Sequence, residues 1–129
     1  MLLEDNKYCF VCGKSNPYGL KLSFSYADGK ISSEFTPAPM HQGYKDITHG
    51  GIIASILDEA MIQAALSEGI TPVTAEINVR FRKPLAMDRK TVVEAEITKK
   101  GSRLLEARSR LLDSADGAVI AEANAKLIR

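Results

Sequence analysis

The sequence predicts an α+β fold in which one long, buried helix packs against one antiparallel sheet. Two patterns carry this prediction. Apolar residues recur at helical spacing in a single run in the middle of the chain, whereas apolar and polar residues alternate through most of the rest. Short turn sequences separate consecutive alternating runs, which favours antiparallel pairing of neighbouring strands. The elements are therefore expected in the order strand, strand, helix and then four strand-like runs.

The helix is predicted to begin at His49 or Gly50 and to end at Ser67. Thr48 is the expected N-cap, and Gly69 lies where a glycine commonly ends a helix. The apolar positions form a broad arc, which predicts that the helix is largely buried. They comprise Ile52, Ile53, Ile56, Leu57, Ala60, Met61 and Ala64.

The strands are predicted from period-two alternation. Before the helix, residues 20–26 and 31–35 form two strands joined by a hairpin turn at 27–30. After the helix, the predicted strands are 73–82, 92–98, 102–112 and 118–129, with turns at 99–101 and 114–117. The alternation places Thr74 and Asn78 on one polar face of the 73–82 strand, together with Glu76, Arg80 and Arg82.

The composition fits one soluble domain over residues 1–129 and excludes several classes of protein. Hydrophobic residues make up 45% and charged residues 26%, which excludes wholesale disorder. The formal net charge is +1, so no broad basic surface for nucleic acid is expected. We expect no membrane-spanning helix, because no apolar run is long enough, and no secretion signal, because residues 1–10 lack the basic-then-apolar order of one. Because its two cysteines form one CxxC, the chain is expected in the reducing cytoplasm.

His49, Gly50 and Gly51 open the predicted helix and form a candidate oxyanion site. Glycines leave their backbone N–H groups uncovered, and the first N–H groups of a helix have no helical partner. Such donors can stabilise a polarised carbonyl or an oxyanion. The alternative interpretation is that the two glycines only permit close packing or a tight turn.

Asp58 is the candidate catalytic carboxylate. On a helical projection it falls in an apolar sector with Ala54, Ile62 and Ala65. A carboxylate among apolar neighbours is costly unless it is paired or has a function, and it suits a general base. The alternative is a buried, hydrogen-bonded aspartate or one that faces a subunit interface. The next residue, Glu59, projects to a different side of the helix, near Ser55 and Gln63, where it could be solvated.

Basic residues cluster in two places that would suit a phosphate-bearing ligand. The first cluster surrounds Pro84 and comprises Arg80, Arg82, Lys83, Arg89 and Lys90. The second surrounds Gly101 and comprises Lys99, Lys100 and Arg103. A solvated rim is the alternative interpretation of both.

Cys9 and Cys12, followed by Gly13, are similar to half of a zinc knuckle. Zinc sites normally need four ligands; His41 can supply a third, or a second subunit can complete the set. A redox pair would need a strand-to-helix setting that this sequence lacks. We therefore expect no metal, with Cys9 and Cys12 as the one alternative site.

Taken together, the motifs resemble those of a known family. His49-Gly50-Gly51 followed by Asp58 is similar to the hotdog-fold acyl-CoA thioesterases of the PaaI-like group. The CxxCG segment at 9–13 resembles one branch of that superfamily, as do residues 16–20, 41–44, 73–78 and 82–84. The resemblance covers nearly the whole chain, and the order and spacing of the motifs are more specific than any one of them.

This resemblance implies a hotdog fold, in which a long central helix is wrapped by a curved antiparallel sheet of five to six strands. It implies hydrolysis of acyl-CoA to a free acid and coenzyme A without a metal or organic cofactor. It also implies homodimers with active sites between the subunits, often paired again into homotetramers. The charge and the apolar pattern predict no nucleic-acid or membrane partner.

The resemblance further implies roles for individual residues. The backbone N–H of Gly50, helped by Gly51, would hold the thioester carbonyl oxygen, and His49 would shape the loop. Asp58 of the other subunit would act as base or nucleophile, with Thr74 positioning the water or the substrate. The substrate-binding candidates are Gln42, Gly43, Asn78, Arg80, Arg82, Lys83, Gly101 and Ser102. Many relatives carry an asparagine near position 42 or 43, which this chain lacks.

Two other functions compete with hydrolysis. A non-catalytic acyl-CoA binding module would bind the ligand without releasing a thiol. A hotdog hydratase or dehydratase would act on 3-hydroxyacyl thioesters, but such enzymes usually place their catalytic groups differently along the chain.

Overall fold

The computed structural model describes residues 3–129, in which one long helix packs across one face of a six-stranded antiparallel sheet. In chain order the elements are β1 (Ser25–Ala27), β2 (Lys30–Phe35), a short 3-10 helix (Pro39–His41), α1 (Gly50–Leu66), β3 (Val73–Phe81), β4 (Thr91–Lys100), β5 (Leu104–Asp113) and β6 (Val119–Ile128). The strand order is β1-β2-β4-β5-β6-β3, which leaves β1 and β3 at the edges. The predicted fold class is confirmed.

Helix α1 forms where the apolar spacing predicts it, but its N-cap is His49 and not Thr48. His49 Nδ1 accepts a hydrogen bond from the N–H of Gly51 at 2.8 Å. The backbone N–H of Thr48 donates to Leu85 O at 2.8 Å, which holds Thr48 inside the protein; within residues 3–129 its buried hydroxyl finds no partner. Neither helix of the described chain is long and apolar enough to cross a membrane.

The core lies between α1 and the inner face of the sheet. Ile56, Leu57, Ala60 and Met61 of α1 are completely buried. Their counterparts on the sheet include Val93, Leu105, Leu111 and Leu127. Full burial of an isoleucine, leucine or methionine side chain contributes about 1.5–3 kcal/mol, so this contact is a major source of stability. The hydroxyl of Ser109 on β5 also donates to Leu57 O at 3.0 Å, which fixes the middle of the helix on the sheet.

The first hairpin has the predicted turn but a shorter first strand. Asp28 and Gly29 both have positive φ, of 54° and 76°, as a two-residue type I′ turn requires. The expectation of a strand beginning at residue 20 is wrong, because the ladder starts only at Ser25. The N–H groups of Leu20 and Leu22 instead donate to backbone oxygens of residues 10 and 11, which ties this segment to the N-terminal region.

Strand β3 carries a bulge that changes which side its first residues face. Thr74 pairs with Leu127 and Glu76 pairs with Lys126, so β3 has one extra residue between these two pairs. Directly paired residues lie on the same side of a sheet. Thr74 therefore shares the helix-facing side with buried Leu127, whereas Glu76 and Asn78 lie on the outer side. The expectation that Thr74 and Asn78 share one face is wrong.

The turn between β5 and β6 is built around Asp113, whose side chain is almost fully buried. Its Oδ2 accepts from Arg89 Nε at 3.1 Å and also from Arg89 Nη2, and its Oδ1 accepts from the N–H of Ala115 at 2.8 Å. The hydrogen bond from Arg89 is the main reason that the pKa of Asp113 lies below its usual value. The predicted turn at 114–117 is confirmed, and Gly117 closes it with a φ of 75°.

Candidate active site

The start of α1 presents one uncommitted backbone donor. Gly51 N–H is taken by His49 Nδ1, whereas no group within residues 3–129 accepts from Gly50 N–H. The ring of Phe81 lies beside Gly50, where a Cβ would come within 3.4 Å of Cε1 and Cζ. Of the two amides predicted for an oxyanion site, Gly50 is the one left free, and Gly51 serves the helix cap.

The loop before α1 is built to hold this helix start. Gln42 Nε2 donates to Pro39 O at 2.8 Å, and Gln42 Oε1 accepts from the N–H of Asp46 at 2.6 Å. Gly43 packs against His49, since a Cβ on Gly43 would come within 3.3 Å of His49 Cα. Gln42 and Gly43 thus lie near the helix start, as predicted for substrate-binding candidates, and their contacts shape the loop.

Asp58 and Thr74 form a direct pair. The Thr74 hydroxyl donates to Asp58 Oδ1 at 2.6 Å, and both side chains are half-buried. The pairing depends on the bulge in β3, which turns Thr74 towards the helix. Within the described chain Asp58 makes no salt bridge, and its helical neighbours one turn away, Ala54 and Ile62, are apolar. A carboxylate held by one hydroxyl and otherwise uncompensated can accept a proton from water.

Gly50 and Asp58 of one chain cannot act on the same carbonyl. They are eight residues apart on α1, which at about 1.5 Å per residue separates them by roughly 12 Å along the axis. An oxyanion donor and a base for one carbonyl must both lie within about 3 Å of the reacting atoms. For Gly50 and Asp58 to act together on one carbonyl, one of them would have to come from a second copy of the chain.

The candidates for binding phosphate lie near opposite ends of β3. Arg82 is paired with Glu122 at 2.6 Å, which lowers the pKa of that glutamate, and Lys83 follows it in the chain. Gly101 and Ser102 form the β4–β5 turn, at the end of the sheet where β3 begins. Across the nine residues of β3 this is a distance of roughly 25–30 Å. The two groups cannot meet in one chain.

Two other substrate-binding candidates face away from the helix. Asn78 donates to Asn124 at 3.4 Å, and Arg80 pairs across the strands with Glu122. Both lie on the outer side of the sheet, where charged side chains alternate across the strands. The structure therefore separates these two residues from Asp58 and Gly50.

Cys9 and Cys12 meet Glu59, a contact that the sequence did not predict. Their sulfurs lie 3.5 and 3.6 Å from the Glu59 carboxylate oxygens, and Glu59 is half-buried. Burial, with Cys9 and Glu59 as neighbours, raises the pKa of the Cys12 thiol to about 12. His41 lies elsewhere and accepts from the N–H of Ala38 at 2.9 Å, so it does not supply a third ligand here.

Comparison with known proteins identifies the family. Residues 46–120, which include all of α1 and most of the sheet, match the model of the thioesterase superfamily. The chain belongs to the thioesterase superfamily. This agrees with the resemblance that the motifs around Gly50 and Asp58 indicated.

Individual members of the thioesterase superfamily are similar to the chain at moderate identity. Mouse (Mus musculus) acyl-coenzyme A thioesterase THEM4 is 31% identical over 88 residues, which are 68% of this chain and 38% of that protein. The chain thus spans a little over a third of this relative. Human (Homo sapiens) acyl-coenzyme A thioesterase 13 is 27% identical over 100 residues, 76% of this chain and 71% of that one. The solved structure of the E. coli PaaI protein superposes with a TM-score of 0.79 at 19% identity, covering 85% and 84% of the two chains. This superposition shows that the fold is the hotdog fold.

Proposed function

We propose that this chain hydrolyses acyl-CoA thioesters to a free acid and coenzyme A. The observation that carries the proposal is the half-buried Asp58 carboxylate, which accepts a hydrogen bond from the Thr74 hydroxyl of β3 at 2.6 Å. Asp58 lies on the same helix as the Gly50 N–H, which has no acceptor within residues 3–129. Membership of the thioesterase superfamily and the names of the two curated relatives support the same reaction.

The proposed site combines Gly50 of one subunit with Asp58 of its partner. The thioester carbonyl oxygen gains negative charge as water adds, and the Gly50 N–H at the helix start stabilises that charge. Thr74 donates its only hydroxyl proton to Asp58 Oδ1, so the Thr74 oxygen can act only as an acceptor for another group. A water that donates to Asp58 Oδ2 and to Thr74 Oγ1 directs its lone pair at the carbonyl carbon. Asp58 takes a proton from this water as the C–O bond forms and the carbonyl oxygen becomes an oxyanion. The oxyanion re-forms the C=O bond as the C–S bond breaks, and the proton held by Asp58 passes to the leaving sulfur, which releases the acid and the thiol.

Strand β3 supports a homodimer that would assemble this site. Within residues 3–129 it pairs only with β6, so its other edge carries unpaired backbone groups. Three large apolar side chains on it are well exposed: Val73 at 48%, Ile77 at 36% and Phe81 at 53%. Pairing of β3 with the partner's β3 would continue the sheet and cover these side chains. We further propose that such dimers associate into tetramers and work in the cytoplasm, where both cysteines stay reduced.

The phosphates of coenzyme A are proposed to lie near the end of β3 that carries Arg82 and Lys83. This end adjoins Phe81, which lies against Gly50, so it is the basic cluster closer to the proposed oxyanion donor. Arg82 already pairs with Glu122, whereas Lys83, like Arg80, makes no ion pair within the described chain. The Gly101–Ser102 turn would reach coenzyme A only from another subunit.

The experiment is a panel of acyl-CoAs, from short-chain to long-chain and aromatic, assayed by release of the free thiol. Asp58→Asn keeps the size of the side chain and is expected to lower kcat by about 10²–10⁴-fold. Asp28→Asn makes the same chemical change in the β1–β2 turn, where asparagine suits the left-handed backbone, and is expected to keep full activity. Full activity of Asp58→Asn would contradict the role given to Asp58.

The same panel separates the two competing functions. Binding of acyl-CoA without thiol release from any substrate would favour a binding module. Loss or gain of water across the acyl chain with the thioester intact, detected by product analysis, would favour a hydratase or dehydratase.

A further inference from the structure

A cluster of side chains joins the N-terminal turn, defined here as residues 9–13, to the middle of helix α1. We propose that Cys9, Cys12 and Glu59 bind one Zn²⁺ ion, which fastens this turn to the helix. One ligand atom from each residue lies within 4.8 Å of the others, and all three side chains are half-buried. The proposal does not depend on the thioesterase activity, because no step of that reaction uses these residues.

Each sulfur lies at a separation from a Glu59 carboxylate oxygen that a zinc site would need. With Zn–S of about 2.3 Å and Zn–O of about 2.0 Å, a tetrahedral angle places sulfur and oxygen about 3.5 Å apart. The observed separations are 3.5 Å from Cys9 Sγ to Glu59 Oε1 and 3.6 Å from Cys12 Sγ to Glu59 Oε2. Because the two sulfurs contact different oxygens of the same carboxylate, we place the ion between both thiols and this carboxylate, with a water molecule as the fourth ligand.

The N-terminal turn has the local structure of a ligand-bearing knuckle. The N–H of Cys12 points at Cys9 Sγ, 3.5 Å away, and such N–H donors stabilise the negative charge of a thiolate ligand. Gly13 N–H donates to Cys9 O at 2.8 Å. A Cβ on Gly13 would lie 2.4 Å from Cys9 N, so only glycine lets the turn close this tightly.

Residues around the cluster hold the ligands but supply no competing charge. Gln63, one helical turn after Glu59, donates to Glu59 Oε2 at 2.8 Å and lies 3.7 Å from Cys12 Sγ, which orients both ligands. Within residues 3–129 no lysine, arginine or histidine forms a salt bridge with Glu59. Two sulfurs and one carboxylate favour zinc over magnesium or calcium, which prefer oxygen alone, and an iron–sulfur cluster needs more cysteines.

The test is metal analysis of the full chain, purified without chelators and with a phosphine reductant. We expect about one zinc per chain in the wild type and less than about 0.1 in Cys12→Ser. Glu59→Gln is expected to bind zinc at least 10-fold more weakly, measured by competition with a chromophoric indicator. Glu4→Gln, an exposed carboxylate outside the cluster, is the matched control and is expected to keep the wild-type zinc content.

Two further measurements keep the proposal testable if a variant fails to fold. Wild-type protein stripped with a chelator is expected to lose at least about 5 °C in Tm and to regain it on addition of Zn²⁺ alone. Cobalt(II) added to the stripped protein is expected to give the thiolate-to-metal charge-transfer absorption of a tetrahedral site. Metal-free wild type with two free thiols that takes up neither ion would overturn the proposal. So would an intramolecular disulfide that forms in zinc-containing buffer, which would assign the pair to redox chemistry.

Discussion

Replacing Gly50 with proline would remove one backbone N–H from the start of α1 and leave the helix in place. Gly50 is the first helical residue after the N-cap, where proline is well tolerated because that N–H has no helical partner. His49 has φ −62° and ψ 131°, which lie in the region that a residue before proline prefers. His49 Nδ1 can still cap the Gly51 N–H. The change therefore deletes the proposed oxyanion donor with little strain in the backbone.

Gly50→Ala is the matched control, since it adds a side chain but keeps the N–H. Its Cβ would lie 3.4 Å from two ring atoms of Phe81, which is ordinary van der Waals contact. Loss of one oxyanion donor costs about 10²–10³-fold in kcat, which corresponds to roughly 3–4 kcal/mol of transition-state stabilisation. We expect the proline variant to be slower than the alanine variant by this factor.

The assay is thiol release from an acyl-CoA that the wild type hydrolyses, with circular dichroism and sedimentation to verify fold and assembly. Equal activity of the proline and alanine variants would refute the donor role of Gly50. If both variants lose most of their activity to the same extent, the loss is due to crowding against Phe81 and not to the missing N–H, which would also refute the donor role.

Three further predictions concern assembly, the Asp58 pair and acid stability. In the first, an Asp58→Asn chain and a Gly50→Pro chain are co-expressed with different tags and purified as a hybrid dimer. This hybrid should have about half of the wild-type rate per dimer, because one of its two shared sites is intact. An inactive hybrid would place each site within one chain. Thr74→Val should lower kcat by about 10–100-fold through loss of the hydrogen bond to the carboxylate, whereas Thr74→Ser should restore it; unchanged kcat in the valine variant would contradict this. Asp113 has a lowered pKa because of Arg89, so its stabilising effect is present above the unfolded value of about 4 and is lost as the pH falls through the folded pKa. Asp113→Asn should therefore have a lower Tm than the wild type at neutral pH, and its Tm should fall less than that of the wild type on acidification. Parallel curves of Tm against pH for the two proteins would refute this role of Asp113.

Local patterns were sufficient to predict the α+β fold class and to mark Gly50 and Asp58 as candidates, whereas the role of Thr74 came only from the family resemblance. The spacing of apolar residues located α1, and period-two alternation located the four strands after it to within a few residues. The glycines at the helix start and the apolar sector of Asp58 marked both proposed groups. These features depend on residues close together in the chain, which is why one sequence suffices for them.

The contacts that the sequence could not predict are those set by register or by distant segments. A bulge adds one residue to β3 and moves Thr74 to the helix side, and no residue type in 73–76 marks it. The meeting of Glu59 with Cys12 joins positions 47 residues apart. Two local features bear on this contact: the CxxCG turn and the spacing of Glu59 and Gln63 by one helical turn. Neither feature indicates that the turn and the helix lie against each other.

Three successive residues of α1 each contact a different part of the chain, and together these contacts hold the Asp58 carboxylate in place. The Leu57 carbonyl accepts from Ser109 on β5, Asp58 accepts from Thr74 on β3, and Glu59 lies against Cys12 in the N-terminal turn. Successive residues on a helix project about 100° apart, so these contacts surround the axis and oppose its rotation in either sense. Rotation is the movement that would turn Asp58 away from its hydroxyl partner. The N-terminal turn thus supports the proposed chemistry by position alone, although it supplies no group to the reacting atoms.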